Sequence, residues 1–200
     1  MRYGMVIDLK KCIGCHTCTI ACKVENGTGP GVFWNQVMDR ETGAYPSVRR
    51  TFIPRPCMHC DNPPCVQACP SGASYKRADG LVLIDHKKCI GCRYCIVACP
   101  YGARYFVKSQ AGYFAQGLTP YEKLMYPEHQ LGVVEKCNFC AGLIEQGQEP
   151  ACVRSCPMNA RTFGDLNDPQ SQVSQLAHSS HAFCLLEQKG TRPSVFYLPA

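Results

Sequence analysis

The feature that most limits what this chain can fold into is the run Cys89-Ile-Gly-Cys92-Arg-Tyr-Cys95-Ile-Val-Ala-Cys99-Pro100. Three thiols spaced by two residues share one tight loop, and a fourth follows three residues after the third. Sulfurs held so close must converge on one object, and the loop has to wrap around it. Gly91 has no side chain to obstruct a close backbone approach. Pro100 cannot continue a helix, so the chain turns away after Cys99. The protein has 17 cysteines in 200 residues. Such density in a short secreted chain suggests a disulfide scaffold. Here, however, 16 of the 17 fall into four groups of four, and neighbours that close favour metal ligation.

The groups are Cys12, Cys15, Cys18 and Cys22; Cys57, Cys60, Cys65 and Cys69; Cys89, Cys92, Cys95 and Cys99; and Cys137, Cys140, Cys152 and Cys156. Zinc is the serious alternative, because paired C-x2-C units also build four-cysteine zinc sites. Zinc explains neither two consecutive C-x2-C intervals in one loop nor the three Cys-Pro steps at Pro70, Pro100 and Pro157. C-x2-C-x2-C-x3-C-P is the bacterial ferredoxin pattern for [4Fe–4S] clusters, in which the fourth cysteine binds the other cluster of a pair. Each run therefore implies a partner run.

Between the groups, alternation and apolar runs predict short strands at residues 3–7, 48–53, 80–85, 104–107 and 194–198. Helical turns are expected at 19–24, 138–146 and 168–178, and a long connection at 26–47. Residues 108–133, with glycine or proline breaks at Gly112, Gly117, Pro120 and Pro127 and no cysteine, read as an irregular surface insertion. Trp34 is read as an aromatic packed under a loop, and Cys184 as an isolated structural thiol without a ligand role. His59, inside a cysteine loop, is read as a solvent-exposed histidine.

The formal charge of +6 could suggest a nucleic acid or an anionic membrane surface. Sixteen thiolates around four cluster cores of about +2 each contribute roughly −8, so the loaded protein stands near −2. The basic residues thus read as compensation for buried negative clusters, and no nucleic-acid partner is expected. No stretch approaches the eighteen or so apolar residues of a membrane span. The first residues, Met1-Arg-Tyr-Gly-Met-Val-Ile-Asp8, read as a strand rather than an export signal. Glycine-rich nucleotide loops and serine–histidine–acid signatures are absent, so no catalytic residues are assigned.

The order of the groups, with the second as C-x2-C-x4-C-x3-C-P and the fourth as C-x2-C-x11-C-x3-C-P, carries a resemblance. So do the phrases Asn62-Pro-Pro-Cys65, Cys69-Pro-Ser-Gly-Ala-Ser-Tyr75, Ala98-Cys-Pro-Tyr-Gly-Ala-Arg-Tyr105, Lys136-Cys-Asn-Phe-Cys140 and Thr162-Phe-Gly-Asp165. The chain resembles the four-cluster, ferredoxin-like iron–sulfur (B) subunits of dimethyl-sulfoxide-reductase-family molybdopterin oxidoreductases. The ending Gly190-Thr-Arg-Pro-Ser-Val-Phe-Tyr-Leu198 is most similar to polysulfide and thiosulfate reductase B subunits.

The resemblance implies an α+β fold of two ferredoxin-like modules. Residues 1–47 with 133–165 would form one and 48–107 the other, with 108–132 an insertion and 166–200 a C-terminal arm. It pairs the first group with the fourth and the second with the third. The implied ligand sets are Cys12, Cys15, Cys18 and Cys156; Cys137, Cys140, Cys152 and Cys22; Cys57, Cys60, Cys65 and Cys99; and Cys89, Cys92, Cys95 and Cys69. Some relatives hold a three-iron cluster where tryptophan replaces a ligand of the third group; Cys92 stands here, so four [4Fe–4S] clusters are expected. The cluster of the third group is expected at the molybdenum end and the first-group pair toward the membrane. The implied role is non-catalytic electron transfer between a membrane quinone-binding anchor subunit and a molybdopterin catalytic subunit. The implied location is peripheral to the cytoplasmic membrane, on its outer face, by co-export with a signal-bearing partner. A free-standing cytoplasmic polyferredoxin and a zinc-stabilised interaction module are the competing readings.

Overall fold

The computed structural model describes residues 1–200. Strand β1 (Tyr3–Asp8) runs into the first cysteine loop, and helix α1 (Thr17–Asn26) leaves it. Cys18 and Cys22 lie four residues apart and are both buried, so one face of α1 carries two thiols inward. The helix stops at Gly27, whose φ of 59° is the left-handed conformation of a C-cap. A hairpin follows, β2 (Gln36–Thr42) with β3 (Arg49–Arg55); β2 lies in the stretch expected as connection, and β3 lies where a strand was expected.

The second cysteine group contains α2 (Pro64–Gln67), and β4 (Ser74–Lys76) and β5 (Val82–Ile84) follow it. Pro64 opens α2, where its missing N–H has no helical partner to lose. The third loop leads to α3 (Tyr94–Val97) and β6 (Tyr105–Phe106). The insertion is more ordered than its composition suggested. It contains α4 (Pro120–Met125), started by a full capping box between Thr119 and Glu122 with Pro120 in the first turn. Then follow β7 (Val134–Glu135), α5 (Ala141–Glu145), α6 (Ala151–Arg154), β8 (Arg161–Asp165), α7 (Gln172–Ala177) and β9 (Val195–Leu198).

The strand pairing ties the cysteine groups together. β1, which enters the first group, pairs antiparallel with β8, which leaves the fourth, with Ile7 opposite Arg161. β4 leaves the second group and pairs with β5, which enters the third. β6 leaves the third group and pairs with β7, which enters the fourth, with Tyr105 opposite Glu135. The chain is thus an α+β protein of short strands and short helices in which each cysteine loop is strung between paired strands.

The C-terminal residues end in a strand of the first sheet. β9 pairs parallel with β1 and completes the sheet β8-β1-β9, and Val195 and Tyr197 are fully buried. The Tyr197 hydroxyl donates to the Pro54 carbonyl at 2.9 Å. Just before β9, the chain straps the second cysteine loop. The Asp61 and Asn62 amides donate to the carbonyls of Arg192 and Thr191 at 2.7 and 3.0 Å, and Ser194 N–H donates to Met58 at 2.9 Å. The main core packs Met5, Ile7, Met58, Leu81, Phe139 and Tyr197 among the thiols themselves. No helix is long and apolar enough to cross a membrane.

Candidate iron–sulfur sites

The first and third loops have one backbone plan. Gly14 and Gly91 hold φ of 69° and 68°, and two residues later His16 and Arg93 hold 60° and 65°. Left-handed residues at alternate positions curl the chain and turn successive amides inward, the geometry of an anion-binding nest. The freedom of Gly91 serves this turn and the approach of the Gly132 carbonyl oxygen, which a methyl group would overlap.

Two small spaces lie among the cysteines. Cys12, Cys15, Cys18 and Cys156 line one, together with Pro157 and Arg161. Cys57, Cys60, Cys65 and Cys99 line another, together with Pro100 and Arg104. In both, three thiols come from one group and the fourth from its partner group. Cys22 sits with Cys137, Cys152 and Cys140: burial first, and then those three thiols, push it well above an ordinary thiol. For the remaining four, α2 packs on α3, bringing the chain that leads to Cys69 against the helix carrying Cys95. Cys95 is buried, Cys89 and Cys69 are half-buried, and Cys92 is exposed. No three cysteine, histidine or acidic side chains come close enough together to hold a single ion.

Burial dominates the thiol electrostatics. It pushes Cys60 and Cys137 up to about 12 and Cys152 up to about 11. Such thiols are protonated at neutral pH until a metal displaces the proton, since a coordinating thiol is deprotonated outright. Cluster binding and final folding are therefore linked. Cys69 goes the other way: burial opposes it, but the Ser74 amide at 3.4 Å and the Ser71 hydroxyl at 3.7 Å lower it.

Two buried arginines complete the sites. Arg161 donates to Cys18 Sγ at 3.3 Å, Cys152 Sγ at 3.6 Å and Asn35 Oδ1 at 3.0 Å. Arg104 donates to Cys65 Sγ at 2.9 Å and Ser74 Oγ at 2.8 Å. Sequence reasoning passed over both, although each follows a Cys-Pro step at the same distance.

His59 corrects an expectation. It is wholly buried, not exposed, and its ring stacks on Phe139 with centroids 3.8 Å apart. Its Nδ1 accepts the Val82 amide at 3.0 Å. Complete burial and the nearby Lys136 charge hold its pKa well below the usual value, so the ring is neutral. Trp34 is buried, as its packing role requires, 6.4 Å from the His129 ring. Cys184 is half-buried, and burial raises it to about 11.

Strand-strung loops of this kind define an electron carrier of the two-cluster ferredoxin class. A family model described as a 4Fe-4S dicluster domain matches residues 48–116 and 110–166, and a second of the same description matches 11–73. The chain is 46% identical to the B subunit of selenate reductase from Mesobacillus selenatarsenatis, over 99% of this chain and 72% of that protein. It is 40% identical to the arsenate respiratory reductase iron–sulfur subunit of a Shewanella species, over 99% of this chain and 96% of that protein. The B subunit of polysulfide reductase from Wolinella succinogenes matches at 38%, over 99% of this chain and 94% of that protein. The chain belongs to the iron–sulfur B subunits of molybdopterin oxidoreductases, carries four [4Fe–4S] clusters, and transfers electrons.

Proposed function

We propose that this chain relays electrons between a quinone-reactive membrane subunit and a molybdopterin catalytic subunit, through four clusters held by crossed ligand sets. The two modules are residues 1–47 with 133–165, and 48–107. Three thiols of each group hold one cluster, and the fourth reaches across to the cluster of its partner group. The observation that carries this reading is the grouping of Cys156 with Cys12, Cys15 and Cys18, repeated by Cys99 with Cys57, Cys60 and Cys65. Ligands far apart in sequence thereby share one space, as a paired-cluster module requires.

The chain's own residues hold, insulate and electrostatically bias the clusters; the substrate is chosen by the catalytic partner. Names among the relatives range from selenate and arsenate to tetrathionate and polysulfide reductases at comparable identity. The C-terminal phrase Gly190–Leu198 favours a polysulfide- or thiosulfate-type partner. The complex is placed at the outer face of the cytoplasmic membrane, carried there by its catalytic partner.

Purification of the chain with its neighbours tests this. The expected preparation is brown, contains about sixteen irons per chain and retains a molybdopterin protein. A monomer that carries iron and sulfide yet never associates with such a protein would defeat the proposal. Fractionation that leaves the chain in the cytoplasm while a signal-bearing partner is present would defeat the placement.

A further inference from the structure

One phrase occurs twice in the chain. Cys99-Pro-Tyr-Gly-Ala-Arg104 and Cys156-Pro-Met-Asn-Ala-Arg161 both place an arginine five residues after a crossing cysteine. Cys69-Pro-Ser-Gly-Ala-Ser74 repeats the phrase with serine at its end. The folded chain brings two of these positions, 74 and 104, together. Arg104 and Arg161 are only 4% and 5% exposed, and neither meets a carboxylate. A buried guanidinium without a negative partner is strongly unfavourable. Its partners here are sulfurs. Arg161 spans Cys18 and Cys152; Arg104 bonds Cys65 and faces Cys95 as well. A neutral oxygen accepts a further N–H of each, Asn35 Oδ1 for Arg161 and Ser74 Oγ for Arg104, and Arg161 also meets Met5 Sδ at 3.5 Å.

In the ligand sets of the proposed function, on which this inference rests, each arginine touches one sulfur of each cluster in its module. Cys18 and Cys152 belong to different sets, and so do Cys65 and Cys95. We propose that Arg161 and Arg104 are positioning residues that act as fixed positive bridges, each biasing both clusters of its own module toward the reduced state. An electron entering either cluster adds negative charge beside the guanidinium, and the N–H···S bonds strengthen. Charge and hydrogen bonds at the sulfurs are the terms that set cluster potentials. A single bridge acting on two clusters raises both together, so the electron's step between them is little changed. Serine at position 74 fits this arrangement, because one guanidinium already serves the pair and a second would face it.

The test is an EPR-monitored redox titration of the full chain with its clusters, with iron counted in the same samples. Arg161→Gln is expected to lower the potentials of two clusters, each by about tenfold or more in reduction equilibrium, where tenfold is 59 mV for a one-electron couple. Arg104→Gln is expected to lower the other two. Arg→Lys at each site keeps the charge but not the fork, and is expected to recover most of the shift. Should a glutamine variant lose its clusters, Asn35→Asp and Ser74→Asp neutralise the same guanidinium from its oxygen partner and must lower the same two potentials. Four unchanged potentials with about sixteen irons retained would reduce the arginines to structural groups and overturn the proposal. A shift of one cluster only would refute the bridge. The ligand sets are read separately: if Cys18→Ala and Cys152→Ala damage the same cluster, those sets fail, and the bridge with them.

Discussion

Replacing Gly91 by alanine isolates a contact on which the third cysteine loop depends. Gly91 has φ of +68°, and a Cβ there would overlap the Gly132 carbonyl oxygen. That carbonyl cannot retreat easily. Gly132 N–H donates to Val107 O at 2.8 Å, and Val107 N–H donates to Val133 O at 2.9 Å, which fixes the end of the insertion against the strand after the loop. Gly102 supplies the control: its φ is +58°, but nothing lies within 4 Å of the added methyl. Forcing alanine into the left-handed region costs about 1–2 kcal/mol at either site. Overlap with fixed backbone adds about 1–3 kcal/mol at Gly91 alone. For a chain of this size, 1 kcal/mol moves the melting midpoint by roughly 2–4 °C. Gly91→Ala should therefore melt roughly 2–12 °C below Gly102→Ala. The assay is loss of cluster absorbance on heating at one scan rate, with iron counted beforehand. Equal midpoints and equal iron in the two variants would show that the third loop does not lean on Gly132.

Three further outcomes are expected. Cys69→Ala should strike the same cluster as Cys89→Ala and convert it to a three-iron form, leaving about fifteen irons per chain; spectra showing damage to two different clusters would break the crossover assignment. His129 Nδ1 donates to the buried Glu135 carboxylate at 2.7 Å, and that bond, against burial and with Glu128 nearby, raises its pKa above 6.5. The stability it contributes is full below 6.5 and fades as pH rises through the raised value, so the melting gap between the protein and His129→Gln should be widest in acid; a gap independent of pH would reject the ion pair. Tyr197→Phe removes the donor to the Pro54 carbonyl and leaves that buried oxygen unpaired, at about 1–3 kcal/mol. A thermal scan should show the loss with iron content intact, and an unchanged midpoint would show that this bond does not hold the last strand.

Much of this architecture could be read from the cysteines, because thiol spacing is a local property. The strands entering the first, second and third loops, and the last strand, lie where the apolar runs put them. Ser74–Lys76 and Arg161–Asp165 escaped notice because three and five residues with mixed polarity carry no usable period. Their pairing comes from partner strands distant in sequence. The helix in the insertion was legible and missed: Thr119-Pro-Tyr-Glu122 is a capping-box phrase with proline at the first helical position. Arg104 and Arg161 were also in view as a repeat, but a repeat does not reveal that its arginine is buried. Burial of an arginine without an acid becomes intelligible only once two sets of sulfurs surround it.

The His59 result shows why a loop histidine could not be placed from its neighbours alone. Cys57-Met-His-Cys60 and Cys137-Asn-Phe-Cys140 are equivalent loops, and His59 and Phe139 both take positive φ, 40° and 56°. That shared turn directs the two rings toward one another, and they stack where Cys57 and Cys137 are electrostatic neighbours. Lys136 already supplies a buried positive charge there, bonded to the Cys137 carbonyl at 2.7 Å. A protonated imidazole would put a second cation beside it without water, so the ring stays neutral and packs as an aromatic. The junction between the second and fourth cysteine groups is therefore closed by stacking, whereas Arg104 and Arg161 are each buried among sulfurs of two cysteine groups. Those are different physical couplings, and the potentials of clusters within a module should respond to arginine substitutions that leave the junction stack untouched.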